Sequence, residues 1–324
     1  MASLIWLITG RCNLSCPHCY ASGLSSLEEM GTEECLRVVR EAAELGVDYI
    51  GFAGGEPLLR RDLIRIMQEA WDLGVEVGLV TNGTLLNEEV SARLYRMEAR
   101  VALSFDGPRR VHEARRGPGS WRAVSRASEA LRRVGFDVRL VTAVGRDNFR
   151  MAREALEDAS SLGAVRVSLI PVMPSGRGRR LAVGPGEWME AALTAWEAQD
   201  DVGVSVGFWC VPFMSRYLPV RAWPCRLSDT LDLDPAGGVL LCDVLDVRLS
   251  TVRGRSLMEA WEEAESHPLS VRVSSPELRG PCAECPVREE CLGGCYARSM
   301  LAGRGPDGPD PLCPAGGSIY FGGV

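Results

Sequence analysis

Residues 3–20 read Ser3-Leu4-Ile5-Trp6-Leu7-Ile8-Thr9-Gly10-Arg11-Cys12-Asn13-Leu14-Ser15-Cys16-Pro17-His18-Cys19-Tyr20. The apolar run at the start predicts a strand over Ser3–Ile8. Three cysteines follow in a loop, with C-x₃-C-x₂-C spacing. Thiolates so spaced can wrap one compact iron–sulfur cluster. A cubane has four irons, so three ligands leave one iron free to bind another molecule. A structural zinc site would want a fourth Cys or His nearby. His18 is the candidate, but between Cys16 and Cys19 it is expected to point away.

Outward from this loop, strands and helices alternate. Thr32 starts a helix to about Leu45, which Gly46 ends. Asp48–Phe52 is a second strand, followed by the turn Ala53-Gly54-Gly55-Glu56-Pro57. A helix from about Asp62 to Leu73 leads to a third strand, Val75–Val80, and then to Thr81-Asn82-Gly83. Asn87 caps the next helix. Val101–Phe105 is the fourth strand and ends in Asp106-Gly107. Ser120 caps a helix to Val134. Asp137–Ala143 and Val165–Ile170 are strands five and six, with a helix over Asn148–Leu162 between them. This rhythm predicts an α/β fold of six right-handed βα units, a partial (β/α)₆ TIM-like barrel with a parallel sheet. In such a sheet the chemistry gathers at the C-terminal strand ends. The cysteine triplet, the Gly-Gly-Glu-Pro turn, Thr81 and Ser104 all fall there.

The chain has 324 residues, of which 46% are apolar and 24% charged, and a net charge of −7. That is globular usage, and the acidic balance argues against nucleic acid as a partner. No apolar stretch is long enough to span a membrane. All 36 basic residues are Arg, which excludes Schiff-base and P-loop lysine chemistry. The 12 cysteines come with no secretory signal. They predict a reducing, cytoplasmic setting in which cysteines bind metal more often than they pair.

Three cysteines lie in the first loop, Cys35 stands alone, and the other eight fall between Cys210 and Cys313. Met173–Gly186 reads as a loop and Glu187–Gln199 as a helix. From residue 202 onward the periodicity breaks, and Gly and Pro rise. The chain is therefore expected to divide into a barrel domain at 1–201 and a loop-rich, metal-organised domain at 202–324. Cys35, at the start of a helix, is expected to pack in the core.

The triplet with its following aromatic, and the Gly-Gly-Glu-Pro turn about 35 residues later, resemble the signature of the radical S-adenosylmethionine (SAM) enzymes. The order Cys225-x₁₁-Gly237-x₄-Cys242, Cys282-x₂-Cys285-x₅-Cys291-x₃-Cys295, then Cys313 resembles the SPASM domain found in many of them. The resemblance implies that Cys12, Cys16 and Cys19 hold a 4Fe–4S cluster whose open iron chelates SAM. Reductive cleavage of SAM would then yield a 5′-deoxyadenosyl radical that abstracts hydrogen from a C–H bond. Tyr20, Gly54, Gly55, Glu56, Pro57, Thr81, Ser104, Arg116, Ile170 and Val172 match positions that surround SAM in relatives. Two auxiliary 4Fe–4S clusters are implied, one on Cys282, Cys285, Cys291 and Cys313 and one on Cys225, Cys242 and Cys295. The fourth ligand of the latter is either Cys210 or a molecule on an open iron.

The substrate is less determined. Asp243 resembles the acid that serves as base in sulfatase-maturing relatives, and Asp229, Asp232, Asp234 and Asp246 lie nearby. The loop Ser175-Gly176-Arg177-Gly178-Arg179-Arg180 either clamps carboxylates or is a solvated basic turn. Maturation of a peptide or protein side chain is the first reading, and modification of a tetrapyrrole haem precursor is the second. An iron–sulfur electron carrier is the non-enzymatic alternative. The enzyme readings imply an electron donor such as ferredoxin or flavodoxin. Because the triplet begins at residue 12, a peptide-modifying enzyme is expected either to use a separate leader-peptide-binding protein or to bind a folded target directly.

Overall fold

The computed structural model describes residues 2–221 and 224–316. β1 (Ala2–Thr9) lies inside the sheet and is buried along most of its length, as an inner parallel strand must be. Leu4, Trp6, Leu7 and Ile8 are fully buried, and the Trp6 ring stacks on Phe52 with centroids 6.1 Å apart. Truncating such an aromatic costs about 3–5 kcal/mol.

From β1 the sheet grows in sequence order through β2 (Val47–Gly54), β3 (Glu76–Thr81), β4 (Arg100–Ser104), β5 (Val138–Val144), β6 (Ala164–Pro171) and β7 (Ser205–Phe208). Every one of these pairings is parallel. The helices between them are α1 (Thr32–Glu44), α2 (Leu63–Asp72), α3 (Glu88–Arg96), α4 (Arg109–Arg116), α5 (Ser120–Arg133), α6 (Ala152–Ser161) and α7 (Pro185–Val202). The expected six units are present. The start signals differ in detail: Asn87 caps α3 through its side chain, whereas α1 and α5 begin behind glycines. Residues 149–151 form a 3₁₀ turn ahead of α6. Arg109–Arg116 forms a further helix between β4 and α5, one not among the helices expected from the sequence.

β7 is a finding beyond the sequence reading. It is four residues long and follows Gly203, too short to show a period. The sheet also continues past β1 on its other side. There β8 (Thr230–Leu233) runs parallel to β1, with Ser3 opposite Thr230 and Trp6 opposite Leu233. β9 (Gly238–Leu240) and β10 (Arg248–Thr251) extend it antiparallel. Residues from 202 onward thus supply strands to both edges of one sheet. α8 (Leu257–Ser266) packs back on α1, where Leu257 N–H donates to Glu41 at 2.7 Å and Arg37 donates to the Val252 carbonyl at 2.7 Å. α9 (Pro268–Ser274), α10 (Arg288–Cys291) and α11 (Tyr296–Leu301) complete the C-terminal region. Cys35 is fully buried within α1.

Thr9, Glu56, Thr81 and Asp106 are buried polar groups at or just beyond the C-terminal ends of β1 to β4. Buried polar groups require partners, and these gather on one rim.

Candidate active site

The triplet loop leaves β1 and is zipped to the turn after β2. Gly55 N–H donates to the Thr9 carbonyl and Glu56 N–H to the Arg11 carbonyl, both at 2.8 Å. The approach requires glycine. Gly54 has φ +129°, and a Cβ on Gly55 would lie 2.1 Å from the Arg11 carbonyl oxygen. Glu56 then turns inward. One carboxylate oxygen accepts from the Thr81 hydroxyl at 2.6 Å and from Leu58 N–H at 3.1 Å, and the other accepts from Asn82 N–H at 2.8 Å. Burial pushes the Glu56 carboxyl up, and these three bonds pull against it. Asn82 donates onward to Asn13 at 3.0 Å, inside the triplet loop. Gly54, Gly55, Glu56, Pro57 and Thr81 therefore form one cradle beside the cysteines. Ser104 is half-buried at the end of β4, Ile170 is half-buried near the end of β6, and Val172 is buried just beyond it.

A second cluster centres on Asp106, a residue the sequence reading noted only as a strand end. Arg116 donates to Asp106 at 2.6 Å, Arg115 lies 3.4 Å from its other oxygen, and His18 Nε2 lies 3.7 Å away. Burial alone would raise this carboxyl, but Arg116, His18 and Arg115 hold it well below the usual carboxylate range. Arg116 also lies 3.4 Å from His18 Nε2, so it reaches the triplet loop from α4. Burial lowers the His18 imidazole to about 4. Asp106 N–H donates to His112 Nδ1 at 3.2 Å, and Asn148 donates to the Asp106 carbonyl at 3.0 Å.

The arginine loop adopts a 3₁₀ turn over Gly176–Arg180 and braces the triplet from the far side. Arg177 Nε donates to the Cys16 carbonyl at 2.9 Å, and Arg177 N–H to the Cys19 carbonyl at 3.0 Å. Arg177, Arg179 and Arg180 are all exposed, and Arg177 alone of the three makes these bonds to the triplet loop.

Tyr20 ends the triplet and donates its hydroxyl to Asp243 at 2.8 Å. Asp243 N–H in turn donates to Asp232 on β8 at 2.8 Å. Asp232, Cys242 and Asp243 bring their ligating atoms within 4.8 Å of one another. Burial pushes the Asp232 carboxyl well up, and the Asp243 charge adds to it. Burial raises Asp243 as well, against the pull of the Tyr20 bond.

The late cysteines fall into two groups. Cys282, Cys285, Cys291 and Cys313 line a single recess, as a four-thiolate cluster site requires. Cys210, Cys225, Cys242 and Cys295 form the other group. Cys210 is exposed as a residue, yet the protein atoms packed round its thiol push it well up, with Cys225 and then Cys295 its leading charged neighbours. Cys225 is exposed as well, and desolvation of its thiol takes it up to about 12, with Cys295 the leading neighbour. Cys210 has φ +58°, a left-handed backbone rare for this residue type. Arg298 donates to the Cys210 carbonyl, and its guanidinium is paired with Asp310 at 2.6 Å. Asp310 accepts from Cys295 N–H at 2.9 Å and from Leu312 N–H at 3.0 Å. Arg298 and Asp310 stand 12 positions apart, and nothing in the sequence marks them as a pair.

Residues 6–159 match the Radical SAM superfamily. The mycofactocin maturase MftC of Mycobacterium ulcerans is 31% identical, over 97% of this chain and 88% of the relative. The PqqA peptide cyclase of Granulibacter bethesdensis is 31% identical, over 94% and 85%. The AdoMet-dependent heme synthase of Methanosarcina barkeri is 29% identical, over 92% of each. Among solved structures, anSMEcpe with bound AdoMet superposes with a TM-score of 0.78 at 18% identity, covering 97% of this chain and 94% of that one. Streptococcus suis SuiB bound to precursor peptide SuiA superposes with a TM-score of 0.77 at 16% identity, covering 96% and 75%. The chain belongs to the radical SAM superfamily. It is an enzyme, and its family implies SAM and a 4Fe–4S cluster as cofactors. Among the described residues no helix is long and apolar enough to cross a membrane.

Proposed function

We propose that this chain oxidises a C–H bond in a peptide or protein side chain and carries three 4Fe–4S clusters to do so. Cys12, Cys16 and Cys19 hold the first. Cys282, Cys285, Cys291 and Cys313 hold the second, and Cys225, Cys242, Cys295 and Cys210 the third. The first cluster together with SAM supplies the 5′-deoxyadenosyl radical, generated with an electron from a ferredoxin- or flavodoxin-type donor. Gly54, Gly55, Glu56, Pro57 and Thr81 form the cradle against which SAM lies, with Tyr20, Ser104, Ile170 and Val172 around it. Arg116 supplies a cation for its carboxylate, kept charged and oriented by Asp106.

The observation that carries the reading is the Tyr20–Asp243 bond. It joins the end of the triplet loop to the residue that follows Cys242. Oxidation removes one hydrogen atom, which the 5′-deoxyadenosyl radical would take, one electron, which an auxiliary cluster would accept, and one proton, so it needs a base at the site of abstraction. Asp243 is that base in this reading, and Tyr20 orients it. The maturase and peptide-cyclase relatives favour a peptide substrate. The heme synthase relative keeps a tetrapyrrole as the second reading.

The test is anaerobic reconstitution followed by SAM and dithionite. About 12 Fe per chain is expected from three cubanes, and about four fewer in the Cys12/Cys16/Cys19→Ala variant, which forms no 5′-deoxyadenosine. Zinc in place of iron would overturn the cluster reading. A peptide encoded beside the gene should stimulate 5′-deoxyadenosine formation and lose two hydrogens in mass. Stimulation by a tetrapyrrole instead would favour the second reading.

A further inference from the structure

The short 3₁₀ turn after Cys210, Pro212–Arg216, reaches the recess of the other late cysteines. Arg216 Nη1 donates to Cys285 Sγ at 3.2 Å. The Tyr217 hydroxyl lies 3.9 Å from Cys313 Sγ, within hydrogen-bonding reach of sulfur. The Arg216 guanidinium sits over the Tyr217 ring, 5.9 Å from its centroid. Two neighbouring side chains thus aim donors at two of the four thiols, and one carries a full positive charge.

The turn is held in place independently of those thiols. Phe213 and Met214 are buried, and Trp188 Nε1 donates to Met214 Sδ at 3.4 Å. Tyr217 N–H bonds back to the Met214 carbonyl at 3.0 Å. The donors are therefore carried on a packed backbone, although the Arg216 side chain itself is exposed. Charges of both signs neighbour each cysteine group. Asp232 and Asp243 face Cys242 while Arg298 lies by Cys210 and Cys295, and Arg216 faces Cys285 while Asp310 lies by Cys282 and Cys291.

Reduction adds a negative charge to a cluster and its thiolates. Donors to the sulfurs and a nearby cation stabilise that added charge, and carboxylates oppose it, so potential follows these neighbours. We propose that Arg216 and Tyr217 set the reduction potential of the Cys282/Cys285/Cys291/Cys313 cluster, holding it above the value it would have without these two donors. This rests on the reading that those four cysteines bind a cluster. Both residues act through the thiolates and not on substrate.

The experiment is an EPR-monitored redox titration of the reconstituted full chain, with iron measured on the same samples. The signal absent from Cys282→Ala identifies the cluster. In Arg216→Gln, its reduced-to-oxidised ratio at the wild-type midpoint should fall about tenfold, which is about 59 mV for a one-electron couple. Tyr217→Phe should shift it the same way by less, and Arg216→Lys should stay within about twofold of wild type. The other signals should not move. If Arg216→Gln loads less iron, the fully loaded Tyr217→Phe variant decides. Unchanged midpoints in loaded Arg216→Gln and Tyr217→Phe would overturn the proposal while leaving the cluster assignment standing. Unchanged iron and signals in Cys282→Ala would instead overturn the assignment on which it rests.

Discussion

Tyr20 and Asp243 stand 223 positions apart and share one hydrogen bond of 2.8 Å. If Asp243 is the base, Asp243→Asn should slow substrate turnover far more than uncoupled SAM cleavage, because the base acts after hydrogen abstraction. Equal loss of both activities would mean damage to the neighbouring Cys242 site. His112 makes a prediction of another kind. Burial lowers its imidazole to about 4, against an ordinary value of 6.5. Between those values the unfolded chain binds the proton and the folded chain does not, so stability falls as pH drops from 6.5 towards 4. Each such histidine contributes a slope of up to about 1.4 kcal/mol per pH unit, and His18 behaves alike. His112→Phe should therefore flatten the pH dependence of urea unfolding in this window. It should also cost about 1–3 kcal/mol at neutral pH by orphaning the Asp106 N–H, a deficit that shrinks as the pH falls and the wild type loses its own advantage. An unchanged slope would contradict the neutral, buried assignment.

At the scale of elements, the arginine loop divides into two roles. Arg177 is engaged with the Cys16 carbonyl, so Arg177→Ala should lower iron at the first cluster and SAM cleavage with it. Arg179 and Arg180 are exposed on the same turn. If they clamp substrate carboxylates, each Ala variant should weaken substrate binding by roughly 10- to 150-fold, and raised salt should imitate the loss. Calorimetry at two salt concentrations separates this from a solvated turn, where binding changes by less than about twofold. The Gly-Gly turn admits no such latitude. In Gly55→Ala the new methyl would meet backbone at 2.1 Å, so the turn must move away from the triplet. SAM cleavage should be lost in this variant even where circular dichroism reports a folded chain.

Across the whole molecule, Arg298 and Asp310 tie the two late cysteine groups together. The pair is fully buried and reaches Cys210, Cys295 and the residue before Cys313. Removing one partner leaves an uncompensated buried charge, which costs about 3–5 kcal/mol. Asp310→Ala should therefore lower the denaturant midpoint of the cofactor-free chain and reduce iron at both auxiliary sites, while the first cluster still loads. Retention of all iron would show that the cysteine groups are organised without the pair.

The sequence by itself determined the class of fold and the class of chemistry. Both are local signals. Six units alternate β-type runs with amphipathic helices, and the cysteines sit at diagnostic spacings, so each can be read within a window of tens of residues. Such a window cannot register β7, four residues without a period, or the parallel pairing of β8 with β1 across more than two hundred positions. Nor can it show that Asp106 gathers Arg115, Arg116 and His18, or that Arg177 faces the Cys16 carbonyl while Arg179 and Arg180 face solvent. Those outcomes depend on which buried polar group finds which partner once the sheet has formed. The requirement that each be paired is met by whatever the topology brings near, so only the tertiary structure decided them.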